Sequence, residues 1–209
     1  MQTTTAGQYR VLGDAPDRDG LLLLDRADHE PVRVAADGYD ADSDLAADVA
    51  ALRPGYLVDA TLAWSDGDAR FEAVDVEKRT LLTFSRGVSG LFEAALETME
   101  EAHQEGVGVT GRPTFSTDNE PNGAVYAFAQ QSGQRDIFDE IRTGVLPIEP
   151  LVDRLDEEAD DAHELFVFDP IDHEFVVVYL VLHRDSVLAD TVRDTYDCPR
   201  PSEVDPAGD

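Results

Sequence analysis

The stretch from residue 164 to residue 184 constrains the fold more than any other part of the chain. Two runs of β-branched, aromatic and aliphatic residues, at 165–168 and 175–182, flank a turn at 169–172, where Pro170 fixes φ and removes a backbone donor. This pattern predicts a β-hairpin. Every residue of the second run is apolar, whereas a strand with one wet face alternates polar and apolar residues. We therefore expect a central strand that is buried on both faces.

The first 80 residues carry the signals of a small barrel. Five strand candidates are rich in apolar residues and separated by turn residues. They lie at residues 8–12, 20–25, 31–35, 56–64 and 70–76. A helix is predicted between the third and fourth, at 42–52, because Leu45, Val49 and Leu52 recur at helical spacing. This order of elements predicts an OB-like small β-barrel at residues 7–80.

The sequence pattern of residues 87–198 predicts a second domain that contains both helices and strands. Four helices are expected in this half, at residues 89–105, 136–142, 150–158 and 186–196. Two further strands, at 108–116 and 124–130, join the hairpin. We expect an α+β two-layer domain with a four-stranded, mainly antiparallel sheet and one layer of helices. The second face of the sheet then packs on the barrel or on another protomer, and residues 199–209 form a flexible acidic tail.

The charge of the chain is far from balanced. There are 45 acidic residues against 16 basic ones, for a formal net charge of −29, and Lys78 is the one lysine. The acids are spread along the whole chain rather than collected in a tail. This composition is typical of salt-adapted cytoplasmic proteins, in which concentrated salt screens self-repulsion and carboxylates keep the surface hydrated.

Several classes of protein are disfavoured. No apolar run approaches a membrane span, the polar start is not a signal peptide, and Cys198 has no second cysteine to pair with. A cytoplasmic location with no membrane contact and no cofactor is expected. Motifs of P-loops, dinucleotide folds, serine hydrolases and zinc proteases are absent from the sequence.

The usual nucleic-acid surface of an OB barrel is also disfavoured. Its loops would carry Asp14, Asp17, Asp19, Asp66 and Asp68, which repel phosphate. Its second strand consists of four leucines, with no aromatic ring on which a base could stack. The barrel is therefore expected to serve a structural or protein-binding role.

Two segments lack the carboxylates that cover the rest of the chain. Residues 78–92, where the domains are expected to meet, contain no acid, and residues 106–135 contain two. Their polar residues are the candidates for a partner-binding or anion-binding surface: Lys78, Arg79, Arg86, Ser89, Arg112, Asn122, Tyr126, Arg135, and the neighbouring Gln130, Gln131, Ser132 and Gln134. We expect Arg86, Arg112 and Arg135 to line one surface. The alternative is that these loops are buried between domains or in a homodimer.

Two smaller groups of residues are candidates for binding an anion or a metal ion. The loop at residues 85–90, which contains Arg86, could seat an anion if a helix began directly after it; the alternative is a plain linker with a serine cap. His163, His183 and Asp185 are candidate metal ligands because both histidines fall at the open end of the predicted hairpin, whereas His173 falls at its turn. The alternative is that these histidines are solvated strand ends.

Four segments together resemble an uncharacterised haloarchaeal protein family of about this length. They are LRPGYLVDATLAW at 52–64, GLFE at 90–93, NGAVYAF at 122–128 and ADTVRDTY at 189–196. The resemblance implies habitat, and it implies no assigned activity, cofactor or site residue.

The residues favour a salt-adapted, non-enzymatic binding or adaptor protein. Its partner would be another protein or a second copy of the chain, engaged through the acid-poor Arg/Asn/Gln surface, and nucleic acid is the less favoured partner. The alternative is an enzyme that acts on a phosphorylated or nucleic-acid substrate through the Arg86 loop or a His163/His183 metal site.

Overall fold

The computed structural model describes residues 3–16, 19–130 and 135–201. Asp17, Gln131, Ser132, Gln134 and most of the predicted acidic tail, from residue 202 onward, lie outside the described residues. Within them, ten strands form two five-stranded sheets and five helices accompany them. None of these helices is long and apolar enough to cross a membrane.

The elements follow one another in nearly the predicted order. The strands are β1 (Thr3–Asp14), β2 (Leu21–Asp25), β3 (Pro31–Ala35), β4 (Leu57–Ser65), β5 (Asp68–Lys78), β6 (Leu81–Val88), β7 (Val109–Phe115), β8 (Pro121–Ala129), β9 (Glu164–Pro170) and β10 (Phe175–Val181). The helices are α1 (Asp44–Ala51), α2 (Glu93–Glu105), α3 (Ile137–Arg142), α4 (Glu149–Glu158) and α5 (Val187–Thr195).

Strands β1 to β5 close into a barrel in the order β1-β2-β3-β5-β4. Neighbouring strands are antiparallel except β3 and β5, which run parallel. Helix α1 lies between β3 and β4 in the chain, and Ser43 caps it by accepting a hydrogen bond from the Ala46 N–H at 3.2 Å. Apolar side chains fill the interior of the barrel: Tyr9, Val11, Leu23, Val34, Val58, Leu62 and Phe71.

The second sheet has five strands in the order β6-β9-β10-β8-β7, not the four that the sequence predicted. The additional strand is β6 (Leu81–Val88), which falls in the acid-free stretch where the domains are expected to meet and where the sequence predicts no strand. It pairs in parallel with β9, from Leu81 opposite Glu164 to Val88 opposite Pro170, and the other pairs are antiparallel. A strand whose partner lies so far along the chain has no local turn to announce it.

Helices cover both faces of this sheet, so the predicted single helical layer is wrong. On one face α2 and α5 pack over Phe166, Val177 and Tyr179. On the other, α3 and α4 pack over Val167 and Val178, and leucines from the outside of the barrel join them. All residues of β10 are buried, which confirms the central strand that the hairpin pattern predicted.

The barrel packs against the second sheet and its helices through a tight, buried contact. Arg10 of β1 donates two hydrogen bonds, of 2.7 and 2.8 Å, to the carboxylate of Glu149 at the start of α4, and neither side chain is more than 2% exposed. Gly55 has a φ of +98°, and a Cβ at this position would lie 2.4 Å from the backbone nitrogen of Leu82. These contacts fix the position of α4 and β6 against the barrel.

Candidate binding cleft

The structure places Arg86 in strand β6, not in a loop before a helix. Its guanidinium pairs with Asp136, Asp139 and Asp169 at 2.7, 3.2 and 3.1 Å and stacks over the ring of Phe138. Helix α2 begins only at Glu93, after an N-cap residue whose side chain makes no capping hydrogen bond. The predicted anion seat is thus corrected: Arg86 already has three carboxylate partners.

Arg86 helps to lower the pKa of Asp136, one of these three carboxylates. Burial alone would raise the pKa of Asp136, but hydrogen bonds from the Asp139 N–H and from Arg86 outweigh it and hold that pKa below its ordinary value. Arg135 lies next to the same helix, where its Nε donates to Glu140 at 2.7 Å. Arg86 and Arg135 are therefore cations that hold α3 in place.

Lys78, Arg79 and Ser89 do not join them. Lys78 donates to Asp156, and Arg79 and Ser89 are exposed in the connections on either side of β6. Burial raises the pKa of Asp156, but the hydrogen bond and charge of Lys78, together with the charge of Arg10, hold it below the ordinary value. The single lysine thus pairs with a partly buried carboxylate of α4.

Arg112 lies in β7, at the opposite edge of the sheet from β6. Its guanidinium contacts Glu97 and Glu101 of α2 at 2.6 and 2.9 Å. The expectation that Arg86, Arg112 and Arg135 share one surface is therefore wrong, since four strand spacings separate β6 from β7.

The metal candidates are engaged in other contacts. The ring of His163 is buried, with Nδ1 2.6 Å from the Leu182 carbonyl oxygen and Nε2 3.1 Å from an Asp156 oxygen. His183 is half exposed beside Asp161, and Asp185 pairs with Arg200. Among the residues that the structure describes, no three His, Cys, Asp or Glu side chains are grouped closely enough to hold a metal ion.

A cleft of about 350 Å³ lies between α4 and the β7–β8 pair. We call it the acid-free cleft, because the described residues that line it include no Asp or Glu. They are Gly111, Arg112, Pro113, Phe115, Pro121, Gly123, Ala124, Tyr126, Leu151, Arg154, Leu155 and Leu180. In a chain with 45 acidic residues, a concave surface without any is a marked departure from the composition of the rest.

Arg154 gives this cleft its charge. It is exposed on α4 and, among the described side chains, has no hydrogen-bond, ion-pair or ring partner. Arg112 also lines the cleft, but its guanidinium is already paired with α2. Most other described cations are paired with carboxylates at 4 Å or less, and the exposed Arg70 donates to the Gly38 carbonyl at 2.7 Å. Arg79 is a second exposed arginine that, among the described residues, has no side-chain partner. Arg154 is thus an exposed cation without a protein partner among the described residues, beside an apolar surface.

The apolar side of the cleft continues along β7. Val109 and Phe115 are 48% and 51% exposed, and with Gly111 and Pro113 they follow one face of the strand, opposite Phe128 and Tyr126 of β8. Among the residues that the structure describes, no helix covers this part of the face, because α3 and α4 pack over the strands nearer the centre. An exposed apolar strip of this kind commonly marks an interaction site.

The free edge of β7 is a poor template for another strand. The Ala129 N–H donates to the Gly108 carbonyl, a pairing that directs the backbone groups of Val109, Gly111 and Pro113 away from β8. Pro113 has no N–H to offer there, which interrupts the row of outward donors. A partner is therefore expected on the face of β7 rather than along its edge.

Of the predicted surface residues, Tyr126 presents its ring to the cleft, whereas the guanidinium of Arg112 lies against α2 on the other face of the sheet. Asn122 is the second residue of β8, with its Oδ1 buried and without a hydrogen-bond partner in the described structure. Sequence reasoning missed Arg154, which stands among acids in PLVDRLDEE; the signal was its position between Leu151 and Leu155, at the border of the apolar stripe of α4.

Comparison with known proteins identifies the family of this chain but no function. No curated protein and no solved structure matches the chain. The description of the matching family is "Family of unknown function (DUF6663)", and its model covers residues 1–201. Because that match spans nearly the whole sequence, the chain belongs to this family.

Proposed function

We propose that this is a non-enzymatic binding protein, and that its acid-free cleft receives a segment of a partner protein. The segment presents a large apolar side chain to Phe115 and Tyr126 and a carboxylate to Arg154. The observation that carries the proposal is that, within the described part of the chain, Arg154 has no side-chain partner and no Asp or Glu lines its cleft, although the chain has a net charge of −29. Arginine at the border of an apolar contact is a common anchor of protein interfaces.

The size of the surface favours a protein segment over a small molecule. The cleft of about 350 Å³ is near the lower limit of ligand pockets, roughly 300 Å³. The exposed apolar strip extends beyond it along the seven residues of β7, a length of roughly 20 Å. An extended or helical segment covers that length, with one side chain inserted into the cleft.

The barrel supports this role by holding α4 in place. We propose that it is of the OB type, because its strand order and the position of α1 agree with that topology. The face that OB barrels use for ligands is largely covered, since Leu22 and Leu24 of β2 pack against the second sheet and helices α3 and α4. Arg33 ties the two adjoining loops by contacting Asp19 and Asp68. These contacts support a structural barrel rather than one that binds nucleic acid.

The two sequence features behind the enzyme alternative, the Arg86 loop and the His163/His183 metal site, find no support in the contacts of these residues. Arg86 is neutralised by three aspartates, and His163 uses both ring nitrogens in buried contacts. A site for phosphorylated substrate would have to be built elsewhere.

The composition supports a salt-adapted, cytoplasmic protein. The net charge of −29 and the single lysine are the observations behind this proposal. At molar salt long-range attraction is screened, so a partner surface relies on short-range hydrogen bonds and apolar contact. The acid-free cleft offers both.

Site-specific photo-crosslinking tests the binding proposal. With p-benzoylphenylalanine in place of Phe115, irradiation in lysate at native salt is expected to give a defined adduct to a partner protein. The adduct should disappear when Arg154→Glu is added, because the carboxylate of the partner then meets a like charge.

Position 187 is the matched control, since Val187 is 83% exposed but lies on α5, on the other face of the sheet. The same adducts from positions 115 and 187, or an adduct at 115 that survives Arg154→Glu, would contradict the proposal. An adduct with twice the mass of the chain would show that the partner is a second copy of the chain rather than another protein.

A further inference from the structure

The sheet face at the acid-free cleft is only half covered, and the open half has the dimensions of one helix. On the opposite face, α2 packs across β7 and β8, and α5 lies against β9. On the face of the cleft, α3 and α4 lie over β9 and β10, and no helix of the described residues lies over β7. Helix α2 has 13 residues and β7 has seven, so both are roughly 20 Å long. The surface across the sheet from α2 therefore has room for one more helix of that length.

An extended segment would leave its own backbone groups unpaired on this surface. The edge of β7 does not offer a full row of hydrogen-bond donors, because Pro113 has no N–H. Among the described side chains that line the cleft, Arg112, Tyr126 and Arg154 have polar groups, and the guanidinium of Arg112 is paired with α2. One hydroxyl and one guanidinium are too few for the peptide groups of an extended segment as long as β7. Buried peptide groups without partners are costly, so this conformation is disfavoured.

A helix avoids that cost, because its backbone groups hydrogen-bond within the helix. An apolar stripe on such a helix would cover Val109 and Phe115, which are 48% and 51% exposed, and reach Leu151 on α4. Arg154 lies at the border of this apolar surface, and no Asp or Glu among the described residues lines the cleft. Charge complementarity therefore favours a carboxylate at the border of the stripe, opposite Arg154.

We propose that the acid-free cleft receives an amphipathic α-helix of another protein, about 13 residues long, with a carboxylate beside its apolar stripe. This inference rests on the proposed binding function and specifies the conformation and chemistry of the partner segment. A second copy of the chain is a poor source of the helix, because all five described helices already pack apolar residues into their own cores.

Photo-crosslinking from both ends of β7 tests this inference. p-Benzoylphenylalanine replaces Val109 in one variant and Phe115 in another, and mass spectrometry identifies the partner residue that is joined to each position. The two positions lie about 20 Å apart along the strand. A helix alongside β7 should be joined at two residues that are about 13 apart in the partner sequence, whereas an extended segment would be joined at residues about six apart.

The outcomes separate this inference from the proposed function. Adducts that depend on Arg154 but join partner residues about six apart would overturn the helix and leave the binding function standing. Absence of a partner adduct at both positions, or adducts that persist with Arg154→Glu, would overturn both. Adducts between two copies of the chain would overturn the assignment of the helix to another protein.

A peptide with the sequence of the crosslinked partner segment gives a second measurement. Its affinity for the purified protein is measured in molar KCl with either proline or alanine at one central position outside the apolar stripe. Proline should weaken binding about a hundredfold relative to alanine, because it breaks a helix. Equal affinities of the two peptides would overturn the inference, since an extended segment tolerates proline at an exposed position.

Discussion

The acid-free cleft and a cleft of about 690 Å³ that His103 and His173 help to line, here called the histidine cleft, lie on opposite faces of one sheet and at opposite ends of β8. The first is bordered by α4 and β7 and contains an unpaired arginine; the second is bordered by α2 and the β9–β10 turn and contains carboxylates and two histidines. Both have an exposed apolar wall. The charged side chains that line them have opposite signs.

The comparison shows which charges are informative in so acidic a chain. Carboxylates cover most of its surface, so their presence at the histidine cleft does not by itself identify a ligand. Their absence at the acid-free cleft is informative by itself. Paired arginines are equally common, and it is the unpaired Arg154 that points to a ligand.

Removing salt is expected to have the largest effect, because it should unfold the whole protein and so abolish both clefts. As the Debye length grows from about 3 Å at 1 M to about 10 Å at 0.1 M, the net charge of −29 loses its screening. Circular dichroism recorded during dilution of KCl measures this. An unchanged spectrum and unfolding midpoint at 0.1 M KCl would show that the acid excess is not a salt adaptation.

A pair of glycine substitutions separates the two clefts with a smaller effect. A Cβ at Gly111 would lie 2.2 Å from the Tyr126 ring, so Gly111→Ala must displace the floor of the acid-free cleft. We expect a loss of about 1–3 kcal/mol in the free energy of unfolding. Gly108, beside the histidine cleft, has no atom within 4 Å of its ideal Cβ, so Gly108→Ala should change stability by less than about 0.5 kcal/mol or raise it slightly.

Denaturant unfolding in molar KCl measures both variants, and the Gly108→Ala protein is the control for the Gly111→Ala protein. If the two lost equal stability, Tyr126 would not be held against β7 as described. The acid-free cleft would then lack the fixed floor on which its selectivity depends.

Much of the fold could be predicted from local sequence patterns. The β9–β10 hairpin is recognisable because its apolar runs are long and Pro170 marks the end of the first strand. Helices α3, α4 and α5 are correct within about two residues, since Asp136 and Ser186 are capping residues that the sequence displays. These elements depend on contacts between near neighbours.

The misses concern relations between distant parts of the chain. Strand β6 is not predicted from the sequence because its partner, β9, is far away in sequence and the pairing is parallel. That pairing also places β6 and β7 at opposite edges, which separates Arg86 from Arg112. Arg154 was missed because whether a charge is paired depends on which helix packs beside it, and the sequence does not show that.

The most direct test of the acid-free cleft is a ¹⁵N–¹H correlation spectrum titrated with N-acetylphenylalanine, a minimal aromatic group beside a carboxylate. Amide shifts are expected at residues 111–126 and 151–155. They should be absent with the neutral N-acetylphenylalanine amide and with Arg154→Ala, but retained with Arg79→Ala, which removes an exposed arginine outside the cleft. Shifts that the neutral amide reproduces, or that survive Arg154→Ala, would contradict the account.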